Sequence, residues 1–181
     1  MWRKKGNENR KRFKYLPEFV YGGTDGAVTT FAVVAGAAGA SLSSTIVLIL
    51  GFANLIGDGI SMAASDYLST KSRKDLNENA KGFTISPLKS ASVTFFSFLF
   101  IGIIPLMTYI IESITHSAHL ANNQFTYSLL LTMLALLIIG FLRGEVHKKN
   151  NFMSSIQTLL IGGIAAAAAF VVSYIIKSAL S

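Results

Sequence analysis

The sequence predicts an all-α integral membrane protein with five transmembrane helices per protomer, its N-terminus cytosolic and its C-terminus outside. Three observations predict it. Hydrophobic residues make up 51% of the 181 positions and charged residues only 14%, against about 25% charged in an ordinary soluble domain. The apolar residues gather in five blocks, Gly26–Ala40, Ile46–Ala64, Ala91–Ile111, Tyr127–Leu142 and Ser155–Ile176. The last four, at roughly 16–22 residues, are long enough to cross a hydrocarbon core as helices. Finally, positive residues occupy every second connection. Arg3, Lys4, Lys5, Arg10, Lys11, Arg12 and Lys14 precede the first block. Lys71, Arg73, Lys74, Lys81 and Lys89 lie between the second and third, and Arg143, Lys148 and Lys149 between the fourth and fifth. The intervening connections carry none, and a single orientation satisfies the positive-inside rule throughout.

Taken in order, residues 1–14 form a basic cytosolic segment and residues 15–181 a single five-helix transmembrane domain, with spans near 19–40, 45–69, 90–111, 126–143 and 155–177. The basic start is suited to anionic headgroups. It resembles the opening of a signal peptide, but Glu18 and Asp25 interrupt the apolar run behind it, so the segment is read as retained. Pro17 suits the first turn of helix one. Gly22-Gly23-Thr24-Asp25-Gly26 is expected to weaken that helix locally. The Gly36/Ala40 and Ala35/Gly39 pairs have the small-xxx-small spacing that lets another helix approach. A short turn at Ser41–Ser44 makes spans one and two an antiparallel hairpin. Taking its tip near residue 43, Asp25 should lie at the depth of Ser61 and Met62, between Asp58 and Asp66. Ser86-Pro87 starts span three, and Pro105 should kink it. Glu112–Thr126 reads as an outer loop, and the small residues of span five, Gly162-Gly163 and Ala165–Ala169, as a packing face.

Composition excludes several classes. With no cysteine, disulfides and thiolate metal sites are absent. His116, His119 and His147 all fall outside the spans, so a zinc enzyme has little to build on and no enzyme activity or resident cofactor is expected. The net charge of +7 is a topology signal rather than a nucleic-acid footprint. No internal repeat supports an inverted-repeat transporter.

The stretch Gly51–Thr70 carries the chemistry. Asn54, Asp58, Met62 and Asp66 recur every four residues and form one slowly winding stripe on a helix, with Ser61, Ser65 and Ser69 beside it. An aspartate at the centre of a membrane helix costs about 2.5–3.5 kcal/mol, so the stripe is read as functional. The primary metal candidates are Asp25, Met62, Asp58 and Asp66, with Asn54, Thr29 and Ser61 secondary. Carboxylate oxygens alone suit magnesium, calcium or manganese, whereas a thioether tilts the set toward softer transition metals such as ferrous iron. The same carboxylates take up and release protons. The plainer alternatives are that Met62 fills a core gap, Asp66 caps or meets water, Asp58 sits at a break between Gly57 and Gly59, and Asn54 bonds between helices. His116 and His119 are read as solvated loop residues.

Tyr21-Gly22-Gly23-Thr24-Asp25-Gly26-Ala27-Val28-Thr29-Thr30-Phe31-Ala32-Val33-Val34-Ala35-Gly36 closely resembles the first-helix signature of the vacuolar iron transporter (VIT) family. Gly51–Thr70, with Ile60-Ser61-Met62 and Asp66-Tyr67-Leu68, resembles its second helix, and the likeness continues through Ile104–Tyr109 and Gly162–Ala167. The resemblance implies a five-helix protomer that dimerises around a pathway lined by helix one. It implies movement of Fe2+, and often Mn2+, out of the cytosol in exchange for protons. Asp25 matches the family's first-helix aspartate and Met62 its second-helix methionine. Asn54 stands where many members have a glutamate, a loss for which Asp58 and Asp66 are candidate compensation. Many members carry a glutamate-rich cytosolic domain after span two; here Thr70–Lys89 is too short and too basic for one, which places the chain in the short form. The expected partners are divalent metal ions, protons, the lipid bilayer and a second copy of the chain, with no nucleic acid. The short form points to a bacterial plasma membrane, with an organelle membrane as the alternative. A membrane scaffold with a merely structural stripe, and a passive divalent-cation channel, are the competing functions.

Overall fold

A computed structural model describes residues 14–76 and 85–180. The basic N-terminal segment, Lys14 excepted, and the middle of the connector after span two lie outside the described residues. The rest is helical: α1 (Leu16–Gly39), α2 (Ser44–Leu76), α3 (Pro87–Gly102), a 3-10 turn (Ile104–Leu106), α4 (Met107–Thr115), α5 (Ala118–His147) and α6 (Asn151–Leu180). The α3–turn–α4 rod makes one traverse, so five rods form the all-α bundle of a multi-pass membrane protein. Four rods are long and apolar enough to cross a membrane by length and composition; α1 is not among them.

The exception follows from position. α1 packs against α2, α3, α5 and α6, so much of its surface meets protein rather than lipid, and Gly, Ala and Thr suit it better than Leu. Its buried face includes Gly22, Gly23, Gly26, Ala27, Thr30, Phe31, Val34 and Ala35. Phe31 and Val34 join Leu55 of α2, Phe98 of α3 and Leu106 of the turn in the apolar core.

The glycines of α1 work differently from the expectation of a weakened helix. α1 runs unbroken through Gly22-Gly23. A Cβ at Gly22 or Gly26 would overlap the backbone carbonyls of Thr94 and Phe98, so both residues let α1 lie directly on α3. Gly39 does the same against the Phe170 carbonyl of α6. α2 is likewise continuous through Gly57 and Gly59, which removes the helix break considered for Asp58.

Other boundaries shift. The outer loop read at Glu112–Thr126 is helical apart from His116 and Ser117, with His116 in the left-handed conformation that ends α4 (φ 49°). Its polar residues extend α5 beyond the apolar run, where hydropathy alone gives no helical signal. Pro105 does break its rod, and the Ser128 hydroxyl of α5 satisfies the Pro105 carbonyl at 2.6 Å. α6 is a packing face on one side only: Ser154, Ser155, Thr158, Gly162 and Ala166 are buried, while Gly163, Ala167 and Ala168 are exposed.

These contacts predict opposite outcomes for two glycine substitutions. Gly26→Ala must push α1 off α3 and should lower stability by about 1–3 kcal/mol, as overpacking does. Gly163→Ala meets open space and should leave stability unchanged or slightly raised. Thermal unfolding of the detergent-purified chain distinguishes them.

Candidate functional site

The α1–α2 hairpin turns over residues 40–43, centred between Ser41 and Leu42, earlier than the tip near residue 43 assumed from sequence. That shift sets the pairing of polar residues. Asp25 lies within electrostatic range of Asp58, and Glu18 within range of Asp66. Seven residues separate the two acids on α1 and eight on α2, so the levels lie roughly 10–12 Å apart along the helices.

At the first level Asp25 is half-buried and Asp58 exposed. Met62 is half-buried one turn further along α2 and packs against the apolar core. The Thr29 hydroxyl donates to the Asp25 backbone carbonyl at 2.8 Å, which occupies its proton and leaves only oxygen lone pairs free. Ser61 is exposed. Asn54 is half-buried, and its Nδ2 is enclosed with no hydrogen-bond partner, so it does not bond between helices as considered from sequence.

Asp66 belongs to the second level. Its Oδ2 accepts from Ser90 Oγ at 2.8 Å and from Thr94 Oγ1 at 3.0 Å, and its Oδ1 accepts from Thr70 Oγ1 at 3.3 Å. Ser90 and Thr94 are fully buried on α3, so Asp66 ties α2 to α3 rather than capping a helix or facing water. Ser90 Oγ also lies 3.5 Å from Glu18 Oε1. A hydroxyl has one proton to donate, and the shorter contact claims it for Asp66. Glu18 Oε2 is buried without a partner. Three hydroxyl donors therefore meet four carboxylate oxygens in this cluster.

Sequence reasoning missed this level. Glu18 figured only as an argument against a signal peptide, and Ser90 and Thr94 not at all. Their signal was present in the spacing: Ser90, Thr94 and Ser97 follow helical periodicity and form a polar stripe on an otherwise apolar α3. His116 and His119 are both exposed, as read from sequence, but His119 stands in the first turn of α5 rather than in a loop. Among the described residues no three His, Asp or Glu side chains converge on one point.

One face of α1 is not fully covered within the protomer. Ala32, Val33, Gly36 and Ala40 line a cleft of about 420 Å3 between α2 and α6. Asp25 and Thr29 lie on the same helical face, at spacings of four, seven and eight residues from one another and from the first two lining positions.

Comparisons with known proteins agree on one family. The model of the VIT family matches residues 16–82 and 76–174, and the two matches meet in the connector after α2. A vacuolar iron transporter of Toxoplasma gondii is 26% identical, aligned over 96% of this chain and 78% of its own length. Vacuolar iron transporter 1 of Eucalyptus grandis is 27% identical over 89% of this chain and 86% of its own. That of Arabidopsis thaliana is 25% identical over 88% and 85%. The alignments run to 236, 220 and 219 positions, longer than the chain's 181 residues, so the relatives carry segments without counterpart here.

The hydrogen bonds of Asp66 predict a structural cost for removing it. Asp66→Ala leaves the buried hydroxyls of Ser90 and Thr94 without their acceptor and should destabilise the protein by about 1–3 kcal/mol. Asp66→Asn, which keeps one acceptor oxygen, should cost less. Denaturation of the two purified variants measures the difference.

Proposed function

The chain belongs to the VIT family, and from that premise we propose that it exports Fe2+, Mn2+ or both from the cytosol in exchange for protons, working as a homodimer. Its relatives are iron transporters by name, so it is a metal-transport protein and not an enzyme. The observation that carries the finer reading is the Asp25–Asp58 pair, beside Met62, on the incompletely covered side of α1.

Two carboxylates in electrostatic range repel, and either a divalent cation or a proton between them relieves the repulsion. Competition between those occupants couples their movements: a metal ion that enters displaces a proton, and a proton from the far side displaces the metal. The thioether of Met62 adds a polarizable donor that favours Fe2+ over Mg2+ or Ca2+. One protomer supplies only two carboxylates at this level, too few for a hard cation that keeps little of its water. A second copy laid against the open face of α1 would double the set and cover the cleft beside α6. That geometry supports dimerisation along α1.

Glu18 and Asp66 stand one level nearer the α2–α3 connector. With the basic connections cytosolic, they lie between the connector and Asp25 on an ion's way in. The short connector offers no acidic capture domain, so this pair takes that position in our reading. Asn54 contributes an amide where many members have a carboxylate, and Asp58, one turn away, is the acid that takes its place. The membrane is assigned as a bacterial plasma membrane on the short form alone.

Flux of Fe2+ and Mn2+ into proteoliposomes, with and without a pH gradient, tests the proposal. Wild type should move both ions faster when the trans side is acidic. Asp25→Ala should abolish flux, and Met62→Leu should reduce Fe2+ flux more than Mn2+ flux. Equal flux by wild type and Asp25→Ala rejects the site. Flux indifferent to the gradient assigns a passive channel, and variants that alter dimer stability but not flux assign a scaffold.

A further inference from the structure

The flank of α2 opposite the carboxylates carries a second feature. A groove of about 460 Å3 runs between α2 and α3, lined by Ala64, Tyr67 and Leu68 on one side and Leu88, Ser92 and Phe95 on the other. At about 100° per residue, its α2 face lies roughly half a turn from the Asn54–Asp66 stripe. The groove is therefore separate from the metal path. It is almost wholly apolar and open to the surroundings of the bundle.

Charge marks one end of it. Lys71 follows Tyr67 and Leu68 by four and three residues, and stands on the groove face of α2 one turn nearer the helix end. Lys74 follows Lys71 by a further turn, with Asp75 beside it as the single opposing charge on this face among the described residues. Across the groove, Lys89 precedes Ser92 by three residues at the start of α3. All three lysines are exposed. An apolar slot in hydrocarbon, closed at its headgroup end by three cations against one anion, has the chemistry of an anionic phospholipid site.

We propose that this groove holds one acyl chain of an anionic phospholipid from the leaflet on the side of the α2–α3 connector, with its phosphate between Lys71 and Lys89. Tyr67 lines the slot one turn before Lys71, and an aromatic with one polar tip is suited to the interface. Occupancy fills the gap between α2 and α3 beside the Asp66 ties, so the lipid acts as a wedge that steadies the two helices. The inference rests on the chain crossing a bilayer and not on what it transports.

The test uses the full-length purified protein. Native mass spectrometry and thermal unfolding are recorded after adding phosphatidylglycerol or phosphatidylcholine of matched chains. Wild type should retain phosphatidylglycerol preferentially and melt at a higher temperature with it, the preference fading as salt rises. Each of Lys71→Gln and Lys89→Gln should reduce the preference about fivefold. Ala64→Trp, which fills the slot, should reduce retention of both lipids. No preference in wild type, or a preference untouched by the lysine substitutions, overturns the proposal. A shift of oligomeric state by Ala64→Trp in light scattering would also overturn it and assign the groove to a second copy of the chain.

Discussion

The enclosure of α1 is the constraint on which the bundle depends. This helix carries Glu18, Asp25, Thr24, Thr29 and Thr30, and a carboxylate facing lipid at mid-membrane costs about 2.5–3.5 kcal/mol. Such a helix is stable only with protein around most of it. The glycines meet that demand by removing the side chains that would hold neighbours away. Gly22 and Gly26 bring the α3 backbone against α1, and Gly39 does the same for α6. The resulting helix is too poor in leucine to register as a span by hydropathy, although the others are arranged around it.

Enclosure also decides where polarity goes. On the side of α3, buried hydroxyls meet carboxylates: Ser90 and Thr94 bind Asp66 and join α2 to α3 near the connector, with Glu18 of α1 beside them. On the other side, Asp25 lies within electrostatic range of Asp58, and no hydroxyl bonds either carboxylate among the described hydrogen bonds. Asp66 is thereby tied into the scaffold, whereas no side-chain hydrogen bond engages the Asp25 or Asp58 carboxylate among the described residues. The distinction matters because all four acids lie on the same two helices and have similar chemistry. Their neighbours on α3 differ, and that difference separates a fastening from a candidate binding position.

The two flanks of α2 complete the division. One presents Asp58 toward the open face of α1, where a second protomer would close the cleft. The other presents an apolar slot ending in lysines, where a lipid fits. A single 33-residue helix thus carries the proposed ion position on one flank and the proposed lipid slot on the other. Its buried residues Val47, Gly51, Leu55 and Gly59 run between the two.

The sequence by itself determined the class, the number of rods, the start of α3 at Pro87 and the break at Pro105, because hydropathy, charge and proline geometry are properties of the local chain. It also marked Asp25, Asp58, Met62 and Asp66 as unusual, since a polar residue inside an apolar run is visible without coordinates. The α5 start escaped it, as polar helical residues beyond a span leave no hydropathy signal. Only the tertiary structure decided which acids pair, because a one-residue change in the hairpin tip moves every partner by two positions along the second helix. It alone brought Ser90 and Thr94 to Asp66 and placed Glu18 beside them. Hydrogen bonds between α3 and α2 depend on how closely the two helices approach, and that distance is a property of the packed bundle rather than of any single segment of the chain.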